Sequence, residues 1–167
     1  SLCKDWMGEM DKTINWVMGN RQKGKAYPPE RMWNAYPTCY GQMTLPPIAA
    51  IYPGHSEKAY LAAYNLAYFD NGFAKDMNGA LVAGLSVALT LDATKMTHEQ
   101  LWAKIFDAIK NTDPYDYNKV PWCERSVNKW MYMADMFVKE ANGSPAKLFQ
   151  LLDKQFMYDA KWEAQVP

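Results

Sequence analysis

The feature that most constrains the fold is a run of small residues between Lys75 and Leu91. Glycine and alanine recur there at helical spacing, which gives one helix a face that a neighbouring helix can approach closely. The small residues on this face are Gly79, Ala80, Ala83, Gly84 and Ala88. The run therefore predicts a helix over residues 75–91 that packs tightly against other helices.

Other segments carry the same periodicity, with residues that typically begin or end helices. Ser56 is a candidate N-cap, Thr97 with Gln100 has the pattern of a capping box, and Asn142-Gly143 is typical of a helix end. Predicted helices are Leu2–Met18, Glu57–Tyr68, His98–Lys110, Glu124–Ala141 and Ala146–Phe156, and Pro46–Tyr52 is a short helix or a strand. Because strand signals are weak, we predict an all-α, compact multi-helix fold, in which residues 1–167 form a single domain or a fragment of a larger one.

Residues 20–45 form a predicted linking region that is unusually long for a compact domain. It contains Trp33, Tyr36 and Tyr40, and aromatic residues are rare in disordered segments. Two interpretations remain open. The three rings stack on a sugar or a nucleobase, or they pin the loop to the core.

The composition argues against several classes of function. Eighteen basic and eighteen acidic side chains cancel, so no surface for nucleic acid is expected. Three cysteines (Cys3, Cys39 and Cys123) and two histidines have no spacing typical of a disulfide framework or a zinc site. No apolar run approaches the roughly 20 residues that cross a membrane, and the first residues do not resemble a signal peptide. We therefore expect a soluble, intracellular chain without a membrane partner.

The remaining polar patterns have mainly local explanations. Residues 79–86 resemble a phosphate-binding loop, but Leu85 stands where that loop requires lysine, so helix packing is the better interpretation. His55 and His98 are expected at the surface. Asp113 and Asp116, like Asp70 and Asp76, would either chelate a hard cation or form turns and caps, for which aspartate is a preferred residue.

The central part of the chain resembles the ADP-ribosylglycohydrolase family. The resemblance is carried by the order of Thr38–Met43, Pro47, Tyr52-Pro53-Gly54 and the segment SEKAYLAAYNLAYFDNG, and it covers about residues 30–120. It implies an all-α fold and hydrolysis of the bond between ADP-ribose and an acceptor. The loop is poorer in glycine than the family pattern, with Cys39 and Tyr40 in its place.

The resemblance also implies a substrate site. In such proteins one loop lies against the ribose and diphosphate of the substrate, and one turn borders the same cleft. The substrate-binding residues that it implies are Thr38, Cys39, Tyr40 and Gly41 in the loop, with Asp70 and Gly72 in the turn. The expected partner is an ADP-ribose-type small molecule or an ADP-ribosylated protein.

The resemblance implies magnesium as the family's cofactor, held by aspartate, glutamate and threonine. The family's two paired-acid motifs do not occur in these 167 residues, so we assign no metal ligand and no catalytic residue. The missing acids would come from flanking segments or from another chain.

Two alternatives stay open. The first is a non-catalytic helical binding or structural protein derived from the same fold. The second is another helical enzyme that acts on glycosides, with Trp33, Tyr36 and Tyr40 against the sugar and Asp113 or Asp116 as acid or base.

Overall fold

A computed structural model describes residues 39–67, 70–121 and 125–159, and all regular secondary structure in these ranges is helical. The α-helices in chain order are α1 (Tyr40–Thr44), α2 (Ser56–Leu66), α3 (Phe73–Ala88), α4 (His98–Asn111), α5 (Ser126–Ala141) and α6 (Pro145–Asp159). Pro46–Ala50 and Tyr117–Lys119 form 3₁₀ turns. The predicted all-α fold class is thus confirmed for this part of the chain, while the predicted helix Leu2–Met18 lies outside it.

Helix α3 is the central element, with α2 and α4 as its main neighbours. The small residues of its sequence make this packing possible. A Cβ atom on Gly79 would lie 2.7 Å from the ring of Tyr60 on α2, and one on Gly84 would overlap the side chain of Ile109 on α4. The predicted close approach of helices is confirmed, and the stretch 79–86 lies inside a helix, unlike a phosphate-binding loop.

The core is built from small side chains on both sides of α3. One cluster joins the 3₁₀ turn at Ile48 to alanines of α2 and to Val82, and a second joins Tyr60 to Ala83 and Val127. Alanine-rich faces bury little area per residue, so their contribution depends on how closely the helix axes approach.

Local capping signals account for several helix ends. The Thr97 hydroxyl accepts from the backbone N–H of Gln100 at 3.3 Å, and the Gln100 side chain accepts from the backbone N–H of Thr97 at 3.0 Å, so the predicted capping box is confirmed. Helix α5 ends at Asn142 and Gly143, which have φ values of 47° and 78°. At the start of α6, the Ser144 hydroxyl accepts from the backbone N–H of Lys147 at 3.3 Å, as an N-cap residue does.

Other predictions need correction. Ser56 is the first residue of α2 rather than its N-cap, and the cap residue His55 makes no side-chain capping bond. For the segment 46–52 the short-helix alternative is confirmed and the strand alternative is wrong, because Pro46–Ala50 forms a 3₁₀ helix. Residues 40–44 of the predicted linking region form a helix, which the hydrogen bond from Gly41 to Asp70 holds in place.

Within the described ranges, none of the helices has the length and apolar character required to cross a membrane.

Candidate functional site

Two segments that lie far apart in the sequence, helix α1 and the turn before α3, are in contact beside Asn78 of α3. The backbone N–H of Gly41 in α1 donates to Asp70 Oδ2 at 3.0 Å, across 29 positions of sequence. The side chain of Asn78 in α3 donates to the same oxygen at 2.6 Å. Gly41, Asp70 and Asn78 are all buried, and we call this group the Gly41 junction.

Glycine is required at position 41 because of the space that Asn78 occupies. A Cβ atom on Gly41 would overlap the amide group of the Asn78 side chain. Gly41 is therefore required for packing, because only a residue without a Cβ atom lets α1 lie directly on α3.

The Gly41 junction contains one buried acceptor without a partner. Asn78 is fully buried, and its Oδ1 atom accepts no hydrogen bond among the described residues. An unmade hydrogen bond to a buried polar group costs about 1–3 kcal/mol, so native proteins keep few of them.

The turn between α2 and α3 leads from the Gly41 junction to the start of α3. The Asn71 side chain accepts from the backbone N–H of Gly72 at 2.8 Å, and Gly72 has a φ of 55°. Gly72 is the N-cap of α3, which has no side-chain cap. The backbone N–H groups of Ala74 and Lys75 donate to the carbonyl oxygens of Asn71 and Gly72, so backbone oxygens and no side-chain oxygen cap this positive end of the helix dipole.

A buried ion pair lies one turn further along α3. Asp76 and Arg125 are 5% and 3% exposed, and Arg125 Nε lies 3.0 Å and 2.9 Å from the two carboxylate oxygens of Asp76. Tyr60 donates to Asp76 Oδ1 at 2.5 Å. The other guanidinium nitrogens donate to the backbone carbonyl oxygens of Lys110 and Thr112, at 2.9 Å and 2.7 Å.

The ion pair ties together four helices, because α2, α3, the end of α4 and the start of α5 each contribute to it. Burial alone would lower the pKa of Arg125, but its hydrogen bonds to Asp76 and the charge of that carboxylate reverse the effect and raise the pKa. Burial, and then the hydrogen bond to Asp76, raise the pKa of the Tyr60 hydroxyl. Arg125 therefore stays charged and Tyr60 stays neutral at physiological pH.

An aromatic pocket of about 270 Å³ lies beside the ion pair, between the first turns of α3 and α5. Tyr64 and Tyr117 form part of its wall, with their hydroxyl oxygens 3.0 Å apart. Tyr115 packs against both rings. The pocket is lined by Tyr64, Gly72, Phe73, Asp76, Tyr117, Arg125 and Ser126.

The structure brings together some of the predicted site residues. Gly41 and Asp70 are in direct contact, and Gly72 follows Asp70 in the turn and lines the aromatic pocket. Cys39 is a half-buried free thiol just before α1, and Tyr40 is the first residue of that helix. Thr38 lies outside the described residues.

The interpretation of Trp33, Tyr36 and Tyr40 as a stacking wall stays a prediction, since Trp33 and Tyr36 lie outside the described residues. His55 and His98 are exposed, as expected. Cys3 and Cys123 are outside the described part of the chain.

Asp113 has the structural role that the turn interpretation predicts. Its two carboxylate oxygens accept from the backbone N–H groups of Tyr117 and Asn118, at 3.0 Å and 2.8 Å. Asp116 has a left-handed backbone with a φ of 55° and pairs with Lys119 at the surface. Of the four aspartates considered, Asp70 and Asp76 are buried in specific networks, while Asp113 and Asp116 shape a turn.

The residues that the structure describes do not fit a magnesium site. Among them, no group of three histidine, cysteine, aspartate or glutamate side chains is arranged to hold a metal ion. Asp70 and Asp76 already accept hydrogen bonds from Asn78 and Arg125. We therefore assign no residue to a metal and derive no step through one.

Sequence reasoning did not find Asn78, Arg125 or the partnership between Asp76 and Arg125. Asp76 and Arg125 lie 49 positions apart, and no residue near either of them in the sequence indicates that the two are partners. An asparagine within an alanine-rich helix was the available signal for Asn78, because a polar residue on such a face needs a buried partner.

Comparisons with protein families, with curated proteins and with solved structures found no match to this chain. The resemblance to ADP-ribosylglycohydrolases therefore stays a prediction that rests on the order and spacing of the motifs quoted above.

Proposed function

We propose that this chain supplies the substrate-binding part of an ADP-ribosylglycohydrolase-like hydrolase, and that it binds an ADP-ribose-type ligand beside the Gly41 junction. Two things support the proposal. One is the ordered resemblance around residues 38–84, and the other is the geometry at Gly41 and Asp70. The acids that would hold magnesium and carry out hydrolysis are not assigned to any residue of this chain.

The contact between Gly41 and Asp70 is the observation that carries the proposal. The resemblance implies that the loop 38–41 and the turn 70–72 border one cleft, and the hydrogen bond of 3.0 Å joins these two segments directly. Nothing in the local sequence requires a contact over 29 positions. A shared site needs this proximity.

The chemistry of the two segments suits a diphosphate with attached sugars. The N-terminal end of α3 at Gly72 has no side-chain cap, and uncapped helix N-termini favour anions. Asp70 holds the Gly41 amide in place, so the loop backbone would be positioned before a ligand arrives.

Calorimetric titration of ADP-ribose into the 167-residue chain tests this function. We expect saturable binding, and we expect Asp70→Asn to weaken it by about tenfold or more, since charge-assisted hydrogen bonds contribute about 1.5–3 kcal/mol. Asp92→Asn is the matched control. Asp92 is an exposed aspartate that accepts from Thr94 in the turn after α3, at the far end of a helix about 24 Å long.

The proposal fails if ADP-ribose gives no saturable signal, or if the Asp70 and Asp92 variants bind equally well. Thermal unfolding of each variant, measured in parallel, separates a loss of binding from a loss of folding. Release of ADP-ribose from an ADP-ribosylated protein should require added flanking segments or a partner chain, because the catalytic acids would come from there.

A non-catalytic binding role has one observation in its favour. Helices α5 and α6 expose large apolar side chains, including Tyr132 at 66% and Phe149 at 73%. Exposed apolar area of this kind is typical of surfaces that other macromolecules cover. Binding of ADP-ribose without any release of it, even with flanking segments present, would favour this role.

A further inference from the structure

We propose that helix α4 pairs with the same helix of a second copy of the chain, in an antiparallel arrangement about a two-fold axis. The proposal does not depend on the function proposed above, because none of the residues involved belongs to the Gly41 junction. It rests on an exposed aromatic pair and on the charges at the two ends of this helix.

The outer face of α4 carries two large aromatic side chains. Trp102 and Phe106 are 53% and 47% exposed, and their rings stack with centroids 5.4 Å apart. The opposite face of the helix, with Ala108 and Ile109, packs toward α3 and the core. Exposed apolar area of this size is typical of a surface that another molecule covers.

The aromatic pair belongs to a stripe that runs along the whole helix. The members of this stripe recur at spacings of three and four residues, so they share one face. All of them are exposed, with an acidic side chain in the first turn, a basic one in the last turn and apolar ones between. The stripe consists of Glu99, Trp102, Ala103, Phe106 and Lys110.

This stripe is complementary to itself when two copies run in opposite directions. Glu99 and Lys110 have the same midpoint in the sequence as Ala103 and Phe106, between residues 104 and 105. A two-fold axis at this point sets Glu99 of each copy opposite Lys110 of the other. The same axis sets the large Phe106 ring of each copy against the small Ala103 of the other, which lets the two helices pack closely.

The charges at the two ends of the stripe are available for such a contact. Within the described ranges, neither Glu99 nor Lys110 forms an ion pair. Hydrogen bonds from its own backbone N–H and from Thr97 lower the pKa of Glu99, so its carboxylate is charged at neutral pH. Both charges also suit the dipole of a single helix, but the dipole does not account for the exposed rings between them.

The other charged side chains on and before α4 do not disturb the stripe. Lys104 and Asp107 line the groove between α4 and the start of α2. Asp107 also accepts from the side chain of Asn111 at 2.6 Å, and Lys95 in the preceding turn pairs with Asp92. The two charges within the stripe cancel, so two copies would approach without net repulsion.

A second exposed surface, on α5 and α6, is a poorer candidate for pairing with itself. Its charges are engaged within the chain, since Lys139 pairs with Asp135 and Lys147 lies 3.9 Å from Glu140. Opposite charges that lie ready for a second copy therefore favour α4.

Sedimentation velocity of the complete 167-residue chain, at low ionic strength and over a hundredfold range of concentration, tests the pairing. One pair of 14-residue helices buries less than the standard interface area of about 1,600 Å², so we expect a weak, reversible dimer. Phe106→Lys should weaken it at least tenfold. Phe149→Lys is the matched control, because it makes the same change at an exposed phenylalanine of α6 and should leave the dimer unchanged.

Charge reversal identifies the antiparallel register. Glu99→Lys and Lys110→Glu each place like charges at both ends of the interface, so each variant alone should dimerise about tenfold more weakly at low salt. An equimolar mixture of the two variants restores opposite charges at both ends and should dimerise as well as the unmodified chain. Circular dichroism of each variant, measured in parallel, checks that the helices are intact.

Three results would each overturn the proposal. They are an unmodified chain that stays monomeric throughout, a dimer that Phe106→Lys leaves intact, and a mixture of the two charge variants that associates no better than either variant alone. Because ADP-ribose is absent from this experiment, its outcome does not depend on the function proposed for the Gly41 junction.

Discussion

At the scale of single residues, the pairing of Asp76 with Arg125 is the most consequential contact in the described structure. Both side chains are almost fully buried, and the guanidinium also holds two backbone carbonyl oxygens at the end of α4. The transfer of two charges out of water is costly, so the pair need not stabilise the fold more than two apolar side chains would. The removal of one partner is different, because the other charge stays buried.

We predict that Arg125→Leu lowers the free energy of unfolding by about 3–5 kcal/mol, since it leaves Asp76 buried and unpaired. Replacement of both residues, Asp76→Leu with Arg125→Leu, should recover part of this loss. Urea unfolding followed by circular dichroism measures both. Asp135→Asn is the control, because Asp135 pairs with Lys139 at the surface and its loss should change little. An Arg125→Leu protein as stable as the unmodified chain would contradict the prediction.

Tyr60 makes stability depend on pH at the alkaline end. Burial raises its pKa above the ordinary tyrosine value of about 10, so in that range the unfolded chain loses a proton that the folded chain keeps. Its contribution to stability is complete below pH 10 and is lost as the pH rises further. We expect the unfolding midpoint in urea to fall above pH 10, and to fall less steeply in Tyr60→Phe. Identical pH profiles for the two proteins would contradict this assignment.

At the scale of secondary-structure elements, the glycines of α3 reverse the usual effect of a substitution. Alanine in place of glycine within a helix ordinarily stabilises it by about 1 kcal/mol. At Gly84 a new methyl group would overlap Ile109 of α4, so we predict that Gly84→Ala destabilises the protein by about 1–3 kcal/mol. Ile109→Ala makes room for the methyl group.

A double-mutant cycle in thermal unfolding checks this explanation. The Gly84→Ala and Ile109→Ala double variant should be more stable than the sum of the two single effects implies. Truncation of Ile109 removes the overlap with the new methyl group, and the methyl group fills part of the space that the truncation leaves. Strict additivity would show that Gly84 has no packing role.

Helix ends could be predicted from the sequence, whereas contacts between distant elements could not. Residues a few positions apart determine helix boundaries, and the capping box at Thr97 and Gln100 was predictable for that reason. Close packing along α3 was predictable from its small residues. The contacts of Gly41 with Asp70 and of Asp76 with Arg125 span 29 and 49 positions, and no local pattern encodes such partners. Gly41 and Asp70 entered the predicted site through the family resemblance alone.

At the scale of the whole molecule, the described helices differ in how deeply they are embedded. Helix α3 contacts α2 and α4 along its length, and nine of its residues are buried. Helix α6 packs mainly on α5, and most of its described side chains are exposed. The described fold therefore consists of a central layer around α3 and a peripheral pair formed by α5 and α6.

This difference predicts an order of local opening. Amide hydrogen exchange should be slowest in α3, because its opening requires separation from α2 and α4 and the loss of the Asp76 ion pair. Exchange should be fastest in α6, since its opening exposes little additional apolar area. Exchange measured by mass spectrometry on peptides from residues 73–88 and 145–155 gives the comparison, and Arg125→Leu should raise the rate in α3 much more than in α6. Equal protection of the two helices would mean that α6 is held by contacts beyond the described residues, and the division into a central layer and a peripheral pair would then be wrong.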